Sequence, residues 1–332
     1  QLFGRMDYEV APDINFFIQG AFSRQNLDYH PLANSLVAPT AATLFKGNPY
    51  IPAAIDAALP AGGSITVAEY NANGPGTRVR ERTDFWMGTL GLEAKLGGGW
   101  SANVNYTHSE SRHAMAQSGV YDWLKTFAAL DVVSVGGTPT CHVLTNAATA
   151  SAFAGCKPLN ILRGDPSVTS PDGYAYATGT SRYRALTKYD SVTASVSGSP
   201  FEMPAGPVDV VVGAEYRSQS LTLTSNADPS LLDTAAERTA YFGTVRGVPA
   251  GTLFYWLTNV GTANGKLNVK EIFGEVAVPL LRDQSFFQDL TVNGAVRLTD
   301  YSVSGSVTTW KVGATWRMSD DFMLRGVYTR DI

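Results

Sequence analysis

A period of two runs through the last quarter of this chain, and it constrains the fold more than any other feature. In Thr291–Tyr301, Val292, Gly294, Val296 and Leu298 are apolar or small, while Thr291, Asn293, Arg297, Thr299 and Tyr301 are mostly polar. Trp310, Val312, Ala314, Trp316 and Met318 alternate in the same way with Lys311, Thr315 and Arg317. Ile272, Gly274, Val276 and Val278 oppose Glu271 and Glu275, and Phe322, Leu324, Gly326 and Tyr328 oppose Arg325 and Thr329. Alternation of this kind places each set on one face of a sheet and is incompatible with a helical stripe. An aromatic and aliphatic face backed by a charged one suits a barrel wall between lipid and water.

An antiparallel sandwich alternates too, with its apolar face inward. Two features separate the cases. The segments reach about ten residues or more, longer than the usual soluble strand and suited to a tilted membrane span. The connections also alternate strictly. Short links fall near 11–13, 97–99, 198–207, 282–288 and 319–321, with long segments near 29–77, 113–181 and 226–265 and a brief turn at Ser302–Ser306 between them. Short turns at one rim and long loops at the other are the habit of outer-membrane barrels. The expected architecture is therefore all-β: an antiparallel transmembrane barrel contributing about ten strands, with residues 1–332 part of one barrel domain.

Composition agrees. Charged residues make up 16% of the 332 residues, against roughly 25% in soluble domains. A net charge of −4, without a basic stripe, excludes nucleic acid as a partner class. No apolar run approaches the length of a membrane helix, a requirement that strands do not share. The chain opens Gln1-Leu2-Phe3-Gly4 with neither Met nor a leader-like region and starts directly in a strand, which reads as an interior piece of a longer protein.

The long segments carry their own patterns. Pro52–Leu59 can form two helical turns, and Val120–Val133 has Leu124, Phe127 and Ala128 at helical spacing. The two cysteines, Cys141 and Cys156, lie in the second long segment. An even pair in an exported loop reads as a disulfide; free thiols would suit a cytosolic chain instead. Of the four histidines only His108 and His113 are close, and five residues apart in a strand they point to opposite faces. They complete no metal-ligand spacing, and no metal or other cofactor is expected.

Glu271 and Glu275 share a face but stand roughly 13 Å apart, too far for an acid/base pair. Arg297, Lys311, Arg317 and Arg325 occupy the same face of neighbouring strands and are positioned to pair with them as charges lining a lumen. No nucleophile elbow or phosphate-binding loop is present, and an enzyme is not expected. Trp86, Trp100, Trp310 and Trp316 lie near strand ends, as an interfacial aromatic girdle requires. Tyr50, Trp123, Tyr174, Tyr176, Tyr255 and Trp256 fall in the long loops, where they can either stack on a ligand or pack the loops together.

Four stretches resemble TonB-dependent outer-membrane receptors, in particular the group found in Sphingomonas- and Caulobacter-like bacteria. They are Asn48-Pro49-Tyr50-Ile51-Pro52, Cys156-Lys157-Pro158-Leu159-Asn160-Ile161, Val269–Val276, and Asn293–Arg317 followed by Tyr328-Thr329-Arg330-Asp331-Ile332. One departure is Leu162-Arg163-Gly164, where that family more often has Phe-Gly. The resemblance implies a 22-stranded barrel, an N-terminal plug and a TonB box outside this chain. It also implies import of a scarce nutrient (a siderophore, glycan, cobalamin or similar) across the outer membrane of a Gram-negative bacterium. The partners implied are outer-membrane lipid with lipopolysaccharide, TonB itself, and the small-molecule or oligosaccharide nutrient. A passive porin or barrel enzyme, and a secreted soluble β-sandwich binding protein, are the alternative readings of the strand pattern.

Overall fold

The computed structural model describes residues 1–70 and 74–331. Its frame is a ten-stranded antiparallel sheet in which each strand pairs with its neighbours in sequence. In chain order these are β1 Leu2–Ala11, β2 Ile14–Tyr29, β3 Arg78–Gly97, β4 Trp100–Tyr121 and β5 Thr178–Met203. They continue with β6 Gly206–Ser225, β7 Ala263–Gln284, β8 Phe287–Tyr301, β9 Gly305–Arg317 and β10 Met323–Arg330. β1 and β10 are the two edges of the sheet. Ile332, the last residue of the Tyr328–Ile332 stretch, lies outside the described residues.

Burial is inverted relative to a soluble sheet. Ile272 is 61% exposed, Val212 58%, Leu298 53% and Val312 50%, whereas Glu271 on the opposite face is 4% exposed. A sandwich would cover its apolar face and leave the carboxylate in water. An apolar face this extensive needs lipid or another apolar partner, so the wall has the sidedness of a membrane barrel. The tryptophans bracket this band. Trp100 and Trp316 sit beside the short turns, with Trp316 Nε1 donating to the Phe286 carbonyl at 2.7 Å. Trp86 and Trp310 stand toward the long-loop rim, at the register of Phe22 and Val296 respectively.

Register puts the expected charges on one face. Glu271 opposes Thr299, Phe273 opposes Arg297, Ala295 opposes Lys311, Asp289 opposes Arg317, and Thr315 opposes Arg325. Glu275 opposes Ala295 and shares that face. Only part of the expected pairing forms. Arg297 Nη1 reaches Glu271 at 3.1 Å, but among the described residues no carboxylate lies within 4 Å of Lys311, Arg317 or Arg325, and Glu275 has no cation. The second partner of Glu271 is instead Arg217 Nη2 at 3.1 Å, with Thr299 Oγ1 donating at 3.1 Å. Arg217 also meets Glu215 at 3.4 Å, which accepts from Ser191. The result is a ladder across β5–β8 that holds a nearly covered carboxylate with charge-assisted hydrogen bonds.

Two boundaries differ from the sequence reading. The 198–207 stretch is mostly strand: β5 runs to Met203 past a bulge between Gly198 and Phe201, and Gly206, at φ 133°, starts β6. A two-residue turn needs less chain than the Pro and Gly content suggests. The second long segment is shorter than expected, because β4 and β5 pair as far as Tyr121 and Thr178. Beyond the apolar band the tops of these strands run into the cap, where Gln117, Val120, Tyr121 and Ser181 are buried, so the ladder continues where the alternation stops.

Candidate ligand-binding loops

All three long connections leave the same rim, and they fold into one packed cap. In the first, the strands Ala42–Phe45 and Ser64–Val67 form a hairpin around the helix α1 Ala53–Ala58. In the second, the helix α2 Trp123–Leu130 starts on Asp122, whose carboxylate accepts from the Lys125 N–H. Both helices answer the spacing seen in the sequence. α2 turns Trp123, Phe127 and Leu130 inward against Leu36, Leu44 and Ile51 of the first loop and Phe242 and Phe254 of the third. The cap therefore keeps its apolar residues inside, opposite to the wall below it.

Polar contacts fasten the three loops. Asp131, 2% exposed, accepts from Arg246 Nε at 2.9 Å and Nη2 at 2.6 Å and also meets His142 Nδ1 at 3.2 Å. The same guanidinium lies 4.3 Å over the Phe45 ring, so one side chain ties the third loop to both others. Asn48 donates to the Leu130 carbonyl at 3.1 Å. Asn34 donates to Gly119 and Tyr174 and accepts from the Tyr121 N–H. The Pro158–Ile161 run lies on the helix α3 Pro171–Ala177, where a Cβ at Gly173 would fall 2.2 Å from the Pro158 carbonyl oxygen. Only glycine permits that approach. Replacing Arg246 by Ala leaves the Asp131 carboxylate buried with His142 alone, and we expect about 2 kcal/mol lost from the cap. Hydrogen exchange in Trp123–Leu130 measures it; unchanged protection would refute the clamp.

Cys141 and Cys156 form the expected disulfide, with Cα atoms 6.3 Å apart, inside the cap core. The loop aromatics divide. Trp123 is 2% exposed and packs against Phe127 with ring centroids 5.5 Å apart, so it is core and presents no face to a ligand. Tyr174, Tyr176, Tyr255 and Trp256 are half-buried against the same core, and Tyr50 is half-buried outside it. The Tyr174 and Tyr255 hydroxyls accept from Asn34 and Asn226. His108 pairs with Asp190 at 2.7 Å on the apolar side of β4, and His113 bonds Thr83 and Tyr183 on the other.

Sequence reasoning missed Asp131 and Arg246, which lie 115 residues apart with no local signal. It also missed Glu69. This carboxyl sits on a short strand paired with Ser35–Leu36; its Oε2 is covered and has no hydrogen-bond partner among the described residues. Burial, followed by the charge of Asp165, pushes it up to about 7, with the Tyr121 and Tyr174 hydroxyls as further neighbours. A raised carboxyl favours the folded cap fully below its unfolded value, and that contribution fades as pH climbs through about 7. Thermal stability of the cap should fall by of order 1 kcal/mol between about pH 5 and pH 8, after allowance for screening. Glu69→Gln should flatten that slope; an equal slope in the variant would remove Glu69 as its source.

A family model described as TonB dependent receptor-like, beta-barrel, matches residues 15–331. Two solved structures are similar. FpvA of P. aeruginosa bound to heterologous pyoverdines is 12% identical with a TM-score of 0.41, covering 96% of this chain and 33% of that one. The FpvAI–pyocin S2 complex is 13% identical with a TM-score of 0.45, covering 98% and 35%. The chain thus spans about a third of the length of these structures. No curated protein sequence matches it.

Proposed function

Because this chain belongs to the TonB-dependent receptor β-barrel family, we propose that it builds the wall and ligand-capturing loops of a receptor in a Gram-negative outer membrane. In this reading it takes up a scarce nutrient rather than catalysing a reaction. The carrying observation is the pairing of an exposed apolar face with a packed three-loop cap at one rim. The polar face, with Glu271, Glu275, Arg297, Lys311, Arg317 and Arg325, then lines the lumen through which the nutrient passes. The nutrient meets the half-buried edges of Tyr50, Tyr174, Tyr176, Tyr255 and Trp256, which offer apolar ring surface beside hydroxyl and indole groups. A siderophore, cobalamin or oligosaccharide matches that chemistry. TonB supplies the energy, through a region outside this chain.

The test is uptake by cells carrying and lacking the gene, with labelled ferric chelates, cobalamin and oligosaccharides, with and without a functional TonB. Loss of one substrate's uptake in both the gene deletion and the TonB-deficient strain is the expected result. Uptake that persists without TonB, together with open-channel conductance in bilayers, would make this a passive porin instead.

A further inference from the structure

Between two charged sectors, the lumen wall of β4 and β5 presents only hydroxyl and amide groups. From Ser101 to Ser111 on β4 and from Thr187 to Ser197 on β5, every lumen-facing position is Ser, Thr, Asn or Tyr. These positions form six successive cross-strand pairs, from Ser101–Ser197 to Ser111–Thr187, with no register shift between them. Their face follows from the row Asn105–Thr193–Glu215–Glu271, which ends on the covered carboxylate of the lumen ladder. The charges of this span, Glu110, Lys188 and Asp190, all stand at the alternate positions on the outer face. Charge resumes on both sides: β3 carries Glu93 and Lys95 on the lumen face, and β6 carries Glu215 and Arg217. At about 3.4 Å per residue the strip is roughly 34 Å long, enough to follow a tilted strand across the hydrocarbon core.

Little of the strip is taken up by its own contacts. Ser101 Oγ and Ser197 Oγ lie 2.9 Å apart, Thr107 Oγ1 is 3.0 Å from Thr89 Oγ1, and Asn105 Nδ2 donates to Asn103 Oδ1 at 3.0 Å. Ser191 donates to Glu215 under the edge of the ladder. Among the described residues, the side chains of Ser109, Ser111, Thr187, Tyr189, Thr193 and Ser195 make no hydrogen bond, and none of the six is buried. At the short-turn end the strip opens on a cavity of about 500 Å³, lined by Ser101, Asn103, Ser195 and Ser197 with Glu93 and Lys95 at its edge. That volume lies within the usual range of small-molecule sites. Toward the cap the strip stops at His113, whose Nε2 meets the Tyr183 hydroxyl at 3.0 Å with ring centroids 5.4 Å apart.

A hydroxyl both donates and accepts, so a solute moving along the strip can exchange one partner for the next without a fixed orientation. Successive pairs are about 6.8 Å apart, so a solute of a few sugar rings always touches more than one. Passage through a pore needs binding favourable enough to enter and weak enough to leave, spread over several sites. Neutral hydrogen bonds meet that condition, whereas charge-assisted ones are roughly twice as strong. A charged chelate would travel this length without a counter-charge from the strip, and an apolar solute would leave the hydroxyls unpaired. A polyol satisfies them along its whole length, and the Tyr183 and Tyr189 rings offer faces to sugar C–H groups.

We propose that the lumen face of β4–β5 is the path by which the nutrient crosses the barrel, and that it selects an uncharged, hydroxyl-rich solute, a carbohydrate. The inference rests on the receptor reading above and narrows its three ligand classes to one.

The test uses the full-length receptor in cells. Its probes are radiolabelled neutral trisaccharides of glucose, xylose and mannose, a ferric hydroxamate chelate and cobalamin, each with and without TonB. Wild-type cells should import at least one trisaccharide, at least tenfold faster with TonB than without. Asn105→Leu/Ser109→Ala/Thr193→Val strips hydrogen-bonding groups from the middle of the path and should lower the maximal rate at least tenfold. Trisaccharide binding to de-energised cells should stay within twofold of wild type, whereas a merely structural role would lower both together. Thr291→Val/Thr309→Val, on the lumen face of β8 and β9, should leave both unchanged. Heat-modifiable migration on gels shows that each variant is a folded barrel. Should the triple variant fail to fold, Ser109→Cys decides instead. Transported trisaccharide should slow its labelling by a polar thiol reagent at least fivefold and leave labelling of Thr309→Cys unchanged. An equal maximal rate in the folded triple variant, equal labelling of Ser109→Cys with and without trisaccharide, or no import of any trisaccharide would overturn the proposal. TonB-dependent import of the chelate or cobalamin in its place would leave the receptor reading standing. Import at full rate without TonB would instead overturn the receptor reading itself.

Discussion

Val212→Arg should destabilise this protein by about 2–4 kcal/mol in a bilayer, the cost of a charged side chain on the lipid face near the midplane. Val212 lies in the row Val210, Val212, Ala214 and Tyr216 of β6 and is level with Val196 and Gly274 on the adjacent strands. At 58% exposure it makes few packing contacts to lose. In a water-soluble sheet such a position would tolerate arginine within about 0.5 kcal/mol. Gln219→Arg on the opposite face of the same strand is the control and should stay within that limit. Urea unfolding of the folded barrel in liposomes reads both. If Val212→Arg matched its control, the lipid-facing assignment would fail.

Removing the disulfide should cost about 3 kcal/mol, and the cost should be confined to the cap. The bridge closes a loop of sequence separation 15, and restriction of the unfolded loop by that amount of chain accounts for the magnitude. Cys141 lies at the end of the hairpin Val132–Val135 with Thr138–Cys141, and Cys156 follows directly into the Pro158–Ile161 run. Cys141→Ala/Cys156→Ala should therefore raise hydrogen exchange across 132–161. Exchange in β3–β8 should not change, because the wall is held by its own ladders. Unaltered exchange in the hairpin would show that loop packing alone suffices there.

Strand positions were legible wherever one face meets lipid, since a one-residue slip there would carry a whole apolar row into the lumen. β2, β3 and β6–β9 therefore lie close to where the alternation puts them. The top of β4 and the start of β5 were not legible. Residues 113–121 and 178–181 rise above the lipid-facing band into the cap, where Gln117, Val120, Tyr121 and Ser181 are buried, so pairing imposes no alternating pattern on them. Among the loop aromatics, composition left Trp123 equally suited to ligand or core. Three-loop packing makes it core, with the Tyr121 and Phe127 rings against it inside the cluster that also holds Leu36 and Leu44.

From sequence alone came the antiparallel strand set, the alternation of short and long connections, the cysteine pair and the helical turns at 53–58 and 123–130. Each depends on local periodicity or on spacing along the chain. Only the tertiary structure decided which face is covered, that Glu271 pairs with Arg217 as well as Arg297, and that Asp131 and Arg246 lock distant loops together. Those outcomes depend on which residues register brings side by side, and a hydropathy pattern carries no record of its neighbours.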